Sequence, residues 1–337
     1  MLRIFTVIAF LLLTPVLFAQ EDADFFKPIP GSRTSGPFTF EVRENKTILL
    51  KDAEQPVLGY VYDVITNESV PEKEAKRRTR GCYIHPLFGL NGEVFTDDFP
   101  KDHYHHHGVF WAWPHVQIEG KSYDLWTDNT DMEQRFVAWK RIETSGKTAL
   151  LEAENGWFVG DKKVMRETAL IEVHPKQTDS RAIDITLSFT PVDHPVVLRG
   201  AEGKSYGGLA IRFKAGKDSN GRDFSQIIVP NGVTREDLPD TPLAWADFSS
   251  YFSGRKSLSG TAVFIPKTHP DHPPTWLTRH YGALCIGWPG VKDRTFEPGK
   301  TFTLSYRIWI HQNEADLDRL KKEYSAFTEP FAATPVL

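Results

Sequence analysis

Residues 182–189 read AIDITLSF, and this stretch is the clearest indication of the fold. Four apolar residues alternate with polar ones and therefore share one face of an extended strand: Ile183, Ile185, Leu187 and Phe189. Similar segments, separated by turn residues, recur on both sides of it. Repeated strands of this kind favour an antiparallel sandwich. We therefore predict an all-β fold with one large antiparallel β-sandwich domain over residues 38–330.

Two local patterns complete the predicted architecture. Residues 38–52, FTFEVRENKTILLKD, alternate on both sides of residues 44–46, which is the pattern of a β-hairpin. Near the C-terminus, residues 314–327 place apolar side chains at helical spacing, as Leu317 and Leu320 do. We therefore expect a short C-terminal helix beside the sandwich.

The first 20 residues have the composition of an export signal. Arg3 precedes an apolar run over residues 4–18, and Ala19 provides a small residue for cleavage. The run is short for a membrane span. We predict a signal peptide over residues 1–19 and an irregular lead-in over residues 20–37. The protein is expected to be exported, without stable membrane insertion after cleavage.

Charge and cysteine content exclude several classes of protein. The chain has 40 Lys and Arg against 44 Asp and Glu, a net charge of -4, and no basic stripe, so nucleic acid is not an expected partner. Two cysteines, Cys82 and Cys285, are too few for a disulfide scaffold or a Cys-rich metal cluster. They could form one disulfide or remain two buried free thiols.

Residues 102–108, DHYHHHG, hold four of the 12 histidines in the chain. In an extended backbone, His103, His105 and His107 would share one face, and His106 would lie on the other. An H-x-H pair on a strand suits Zn²⁺ or a similar divalent cation, so His103 and His105 are a candidate metal pair. Imidazoles also titrate near neutrality and can exchange a proton with a sugar. The remaining alternative is a polar loop whose histidines only form hydrogen bonds.

The residues around the histidines indicate an ordered site. Pro100 and Gly108 constrain the backbone before and after it. Trp111 and Trp113 on the next strand could form the wall of a cavity beside the imidazoles. Three carboxylates that could fix the tautomers of the imidazoles lie nearby: Asp97, Asp98 and Asp102.

Three stretches of the chain carry a family resemblance: GEVFTDDFPKDHYHHHGVFWAW (92–113), KSYGGLAIRF (204–213) and THPDHPPTWLTRHYG (268–282). Together they resemble a family of exported bacterial proteins of unknown function that is labelled methane oxygenase PmoA-like. The family pattern is close to D-F-P-x-D-H-x-H-H-R-G, and this chain has His107 where arginine is usual. The resemblance therefore implies that the other three histidines matter more. A methane-oxidising membrane role does not fit a chain with one short apolar run.

The C-terminal stretch FEPGKTFTLSYRIWIHQNEADLDRLKKEY (296–324) carries a second resemblance. It is similar to the closing strand of the galactose-mutarotase-like supersandwich, in which an E-P-G-x turn precedes an apolar strand ending in Y-R-x-x-x-H. That fold hosts aldose epimerases, polysaccharide lyases and sugar-binding domains. The resemblance implies a supersandwich-like fold and a small-molecule or glycan substrate.

We therefore predict an exported protein that acts on or binds a carbohydrate, with His103, His105 and His106 as the catalytic residues. Substrate contacts are expected from Asp98, Trp111, Trp113, Lys204, Arg212, Arg279, His280 and Tyr281. Two alternatives stay open. One is a metal-dependent hydrolase or oxygenase in which His103 and His105 hold a divalent cation such as Zn²⁺, and the other is a non-catalytic sugar-binding protein. The sequence does not choose among epimerisation, elimination and hydrolysis.

Overall fold

The computed structural model describes residue 33 and residues 35–329, except residue 45 and residues 128–130. The predicted signal peptide and most of the predicted lead-in lie outside the described residues. In the described part of the chain, no helix is long and apolar enough to cross a membrane. Both cysteines, Cys82 and Cys285, are buried free thiols, so the structure has the second of the two predicted alternatives.

The described residues form β-strands over much of their length. The N-terminal strands are β1 (Phe38–Arg43), β2 (Thr47–Asp52), β3 (Gln55–Val61), β4 (Ile65–Thr66), β5 (Thr79–Arg80), β6 (Tyr83–Leu87), β7 (Val109–Ala112), β8 (His115–Ile118) and β9 (Lys121–Tyr123). Four long strands follow, which are β10 (Glu133–Thr144), β11 (Ala149–Val159), β12 (Lys162–Val173) and β13 (Ser180–Pro191).

The C-terminal part contains shorter strands, one long closing strand and the helix. The strands are β14 (Val196–Arg199), β15 (Gly208–Arg212), β16 (Gln226–Val229), β17 (Gly232–Thr234), β18 (Thr241–Pro242), β19 (Trp245–Ser250), β20 (Ser259–Phe264), β21 (Thr275–Arg279), β22 (Ala283–Gly287), β23 (Arg294–Phe296) and β24 (Phe302–Gln312). Two 3₁₀-helices span Glu72–Arg77 and Phe252–Gly254, and the helix α1 spans Leu317–Thr328.

Most of these strands belong to two nine-stranded sheets. The first sheet has the order β1-β2-β3-β6-β7-β15-β22-β21-β18, and the second has the order β10-β11-β12-β13-β24-β20-β19-β16-β17. Their pairings between named strands are antiparallel. A small sheet, β23-β14-β8-β9, and the pair β4-β5 complete the strand pairing of the described residues. The predicted all-β antiparallel sandwich is confirmed.

Strand β13 shows how the sequence pattern builds the core. Its four alternating apolar side chains are fully buried, and they are Ile183, Ile185, Leu187 and Phe189. The strand lies between β12 and β24, where Ile185 is in register with Tyr306 and Leu187 with Leu304. Since these partners are also buried, the apolar faces of neighbouring strands coincide and form one continuous core surface.

The two local predictions are also confirmed, with one change of boundary. Strands β1 and β2 form the expected hairpin, with Arg43 in register with Thr47. The helix begins at Leu317, later than the predicted start at residue 314, because Asp316 caps it. The Asp316 carboxylate accepts a hydrogen bond from the backbone N–H of Arg319 at 2.7 Å.

Candidate functional site

The histidine stretch forms two successive turns between β6 and β7 in the first sheet. The backbone N–H of His103 donates to the carbonyl of Pro100, and that of His106 donates to the carbonyl of His103, both at 2.9 Å. The stretch is therefore not extended, and the alternation described for an extended backbone does not apply to it. The turns place His103, His105 and His106 on one groove and leave His107 buried behind it.

This groove, which we call the histidine groove, has a cavity volume of about 330 Å³. The described residues that line it are His103, His105, His106, Trp126, Thr127, Lys204, Tyr206, Leu277, Arg279, Tyr281 and Cys285. They come from the histidine turns, the loop after β9, the loop before β15, strands β21 and β22, and the turn that joins those two strands. The pairing of β15 with β7 and with β22 brings these segments together.

His103 is held in place by contacts on its ring faces and at one nitrogen. Its ring stacks on His106, with ring centroids 4.6 Å apart, and on Tyr281, with centroids 5.0 Å apart. Its Nδ1 lies 3.0 Å from a carboxylate oxygen of Asp102. Arg212 donates from Nη2 to both oxygens of that carboxylate, at 2.8 and 2.9 Å. The result is a connected series of polar groups, Arg212–Asp102–His103.

The ionised state of Asp102 decides the tautomer of His103. Burial acts to raise the pKa of Asp102, but the hydrogen bonds from His103 and Arg212 outweigh it and hold the pKa below its ordinary value. An ionised carboxylate only accepts hydrogen bonds, so His103 Nδ1 carries the proton. The other ring nitrogen, Nε2, is then the one that can accept or release a proton.

The imidazoles of His105 and His106 are neutral. Burial, reinforced by the positive charge of Arg77, lowers the pKa of His105 to about 3. Burial, the largest cause, lowers the pKa of His106 well below its ordinary value, and the positive charge of Arg212 acts in the same direction. In both rings Nδ1 is buried and has no hydrogen-bond partner among the described residues.

His107 lies in the protein interior and does not line the groove. It is 1% exposed, and its Nδ1 lies 2.8 Å from Asp98 Oδ1. The second oxygen of Asp98 accepts a hydrogen bond from the Tyr83 hydroxyl at 2.8 Å. Asp98 does not line the histidine groove. It lines a separate cavity of about 760 Å³, together with residues such as His85 and Lys214.

Trp111 and Trp113 do not form the wall of the groove, contrary to expectation. Both are fully buried: Trp111 lies on β7, whose four residues are all covered, and Trp113 comes directly after that strand. Trp111 donates from Nε1 to Glu167 at 2.7 Å, and Trp113 donates to the carbonyl of Trp288 at 2.6 Å. The indole that lines the groove belongs to Trp126.

The motifs at residues 204–213 and 268–282 each contribute some residues that line the groove and some that do not. Lys204, Arg279 and Tyr281 line it, as expected, and Tyr281 is 40% exposed. The Arg212 side chain is 7% exposed and lies over the Tyr281 ring, 4.7 Å from its centroid, so it supports the groove without lining it. His280 points elsewhere, because Asp237 binds its Nδ1 at 2.9 Å and the carbonyl of Thr234 is 3.2 Å from its Nε2. The expected substrate contacts of Arg212 and His280 are thus not supported.

Five lining residues were not predicted: Trp126, Thr127, Tyr206, Leu277 and Cys285. Tyr206 lies in the KSYGG motif, so that motif was a usable signal for it, and its ring packs on Trp126 with centroids 4.8 Å apart. Trp126 is itself 2% exposed and part of the core, and no local pattern distinguishes it from the tryptophans that do not border the groove. Its position depends on the loop after β9, which only the tertiary structure places.

Few side chains in the described structure are placed to bind a metal ion together. Among the described residues, no group of three or more His, Cys, Asp or Glu side chains is arranged to hold one. The rings of the predicted metal pair, His103 and His105, have centroids 5.7 Å apart and lie nearly perpendicular. The turns replace the extended H-x-H geometry on which the metal prediction depended.

Comparison with models of protein families identifies the family of this chain. The model of the family of unknown function DUF6807 matches residues 47–325, which include the three motifs and the groove. The chain belongs to this family. Its description names no activity, and no curated protein matches the chain.

Solved structures of low similarity also match the chain. They include a galactose mutarotase related enzyme from Lactobacillus acidophilus (8% identity, 83% of this chain and 99% of that one, TM-score 0.35) and a galactose 1-epimerase from the same species (10%, 83% and 100%, TM-score 0.38). A heparan sulfate lyase mutant from Pedobacter heparinus matches at 10% identity over 84% of this chain and 36% of its own, with a TM-score of 0.36. The DUF6807 chain therefore spans about a third of the lyase and nearly all of the two mutarotase-type proteins. Likeness at these scores assigns no activity to it.

Proposed function

We propose that this DUF6807 protein is an exported protein that acts on a carbohydrate in the histidine groove, with His103 as the residue that transfers a proton. The observation that carries the proposal is the setting of His103. Its ring is stacked on Tyr281 and His106, and Asp102 holds its Nδ1. A ring fixed in position and tautomer is what general acid–base catalysis requires.

The other lining groups have properties that suit a sugar. Tyr281 presents a partly exposed aromatic ring, on which the C–H face of a sugar ring can stack. His105 and His106 are uncharged and can form hydrogen bonds with hydroxyl groups without carrying an ionic charge into the groove. Arg212 acts as a positioning residue, since it holds Asp102 and thereby His103.

Export is part of the proposal and rests on the sequence. Residues 1–19 have the arrangement of a signal peptide, and glycans are abundant outside the cell. Expression of the full chain with N-terminal sequencing of the secreted product tests this directly. A mature N-terminus near residue 20 is expected, and retention of the intact chain in the cytoplasm would contradict it.

The catalytic part is tested by product analysis on a panel of oligosaccharides. Substituting His103→Gln removes the imidazole that is proposed to transfer the proton, so turnover of the substrate found in the panel should fall by about a hundredfold or more. We expect KM to change much less, because the ring is assigned to proton transfer. Asp102→Asn should give an intermediate loss and a changed pH profile of kcat, since the tautomer is no longer fixed.

A matched histidine control and three outcomes decide the result. His194→Gln replaces a partly exposed histidine outside the groove, 3.4 Å from Glu119, and should leave turnover unchanged. Unchanged turnover in His103→Gln contradicts the proposal. Saturable binding without any product supports the non-catalytic alternative instead. Activity that a chelator abolishes and one divalent metal restores supports the metal-dependent alternative.

A further inference from the structure

We propose that the sugar bound in the histidine groove carries a carboxylate, as a uronic acid does, and that Lys204 and Arg279 bind this group. The inference rests on the proposed function, because it assigns the substrate class of the same groove. It is carried by the distribution of charge around the cavity. Cationic groups line the groove, and the carboxylates nearest to it are engaged behind its surface.

The described lining residues include Lys204 and Arg279 but no Asp or Glu. Three carboxylates lie next to the lining, and all are already engaged: Asp124 accepts hydrogen bonds from the backbone N–H groups of Trp126 and Thr127 and from the Thr127 hydroxyl. Asp102 binds Arg212 and His103, and Asp237 binds Arg279 and His280. A neutral sugar site commonly uses carboxylates to accept hydrogen bonds from hydroxyl groups, and the described lining offers no such acceptor. An anionic group on the ligand complements this surface.

Lys204 and Arg279 retain free donors for such a ligand. Lys204 is exposed at the groove on a tight turn, in which the backbone N–H of Ser205 donates to Ala201 at 2.8 Å. In the described part of the chain its ammonium group has no acidic partner. Asp237 engages only Nη1 of Arg279, at 3.1 Å, and a guanidinium has five N–H donors. Lysine and arginine donors form their strongest hydrogen bonds with anions.

The lowered pKa values of the groove histidines are also consistent with a positive electrostatic potential in the groove. After burial, the largest cause, the positive charge of Arg77 lowers the pKa of His105 further. Arg212 acts in the same direction on both His105 and His106. Surroundings that disfavour a further positive charge on these rings favour a negative charge on a ligand beside them.

Calorimetric titration of the full-length mature protein tests the inference. The probes are oligosaccharides of galacturonate, glucuronate and mannuronate, each paired with its carboxyl-reduced counterpart, at low and at high salt. We expect one acidic probe to bind at least about tenfold more tightly than its reduced counterpart, which corresponds to one charged hydrogen bond. The advantage should decrease at high salt.

Substitutions at Lys204 locate the carboxylate. Lys204→Gln should weaken binding of the acidic probe about tenfold and leave the affinity for its reduced counterpart within about twofold. Lys204→Arg keeps the charge and should retain most of the affinity. Lys147→Gln removes an exposed lysine from the turn between β10 and β11 and should have no effect.

The outcomes separate the substrate class from the proposed function. Equal binding of acidic and reduced probes overturns the carboxylate assignment and leaves a sugar site in place. Preference for a sulfated neutral oligosaccharide over every uronate also overturns it, because the anion is then a sulfate ester. Absence of binding by every acidic, neutral and sulfated probe overturns the proposed function and this inference together.

Discussion

Glu167 is the polar centre of the sandwich core. It is fully buried on β12, and each of its carboxylate oxygens accepts two hydrogen bonds, from Trp111 and Asn155 on one side and from Trp157 and Gln134 on the other. The four donors lie 2.7–2.9 Å from the carboxylate. This network explains why Trp111 lies in the core, since its indole N–H satisfies a buried acceptor there.

Replacing Glu167 by glutamine tests this network. The introduced amide group would place its N–H donors against the N–H donors of two neighbours, so Glu167→Gln should lower the free energy of unfolding by about 2–4 kcal/mol. Urea denaturation followed by tryptophan fluorescence measures the change.

A control on the same strand isolates the effect of burial. Glu172→Gln alters a half-buried carboxylate on the opposite face of β12, and it should change the free energy of unfolding by less than about 0.5 kcal/mol. Equal stability of the Glu167→Gln variant and the wild type would show that the carboxylate network does not stabilise the core.

At the scale of the elements, Gly108 joins the histidine turns to β7. A Cβ atom at this position would overlap the backbone carbonyl oxygen of Ile84 on the adjacent strand β6. The carbonyl of Gly108 also accepts a hydrogen bond from the backbone N–H of Arg212 at 2.8 Å. The glycine thus permits close approach of two strands immediately beside the groove.

Gly108→Ala should therefore separate β6 from β7. We expect the free energy of unfolding to fall by at least about 2 kcal/mol, because the new methyl group meets backbone and not a flexible side chain. Thermal and urea denaturation measure the loss. Gly146→Ala is the matched control, since a Cβ there has no atom within 4 Å, and its stability should be unchanged or slightly higher. A stable Gly108→Ala variant would contradict the packing described for this strand pair.

At the scale of the whole molecule, buried neutral histidines make stability depend on pH. Burial lowers the pKa of His105 to about 3 and that of His269 to about 4, and it also lowers the pKa values of His106 and His107. The ordinary value near 6.5 returns on unfolding. Between these values the unfolded chain binds more protons than the folded one, so stability falls as the pH decreases below about 6.5.

The free energy of unfolding should therefore decrease from pH 7.5 to pH 4.5. Each depressed imidazole adds a slope of at most about 1.4 kcal/mol per pH unit inside its window. Carboxylates with lowered pKa values, such as Asp102, contribute only at lower pH, so the histidines dominate this range. Urea denaturation at several pH values measures the slope. The double variant His105→Gln and His106→Gln should have a shallower slope, and a wild-type stability that is constant from pH 7.5 to 4.5 would contradict the prediction.

The fold class and the C-terminal helix could be predicted from the amino-acid sequence alone. Both predictions depend on local periodicity. A strand that alternates as residues 182–189 do can bury its apolar side chains in a two-layer sheet protein only when that face is turned towards the core. The clustering of histidines and the family motifs also located three of the groove's imidazoles together with Lys204, Arg279 and Tyr281.

Which side chains share the groove depends on contacts between segments that are distant in the chain. His103 meets Tyr281, and Asp102 meets Arg212, across more than 100 residues of chain, and sequence spacing carries no information on such contacts. Successive turns replaced the alternation expected for the histidines, so side-chain direction followed turn geometry. Trp111 does not line the groove because sheet pairing buries the strand that carries it, whereas Trp126 lies on the loop that borders the groove.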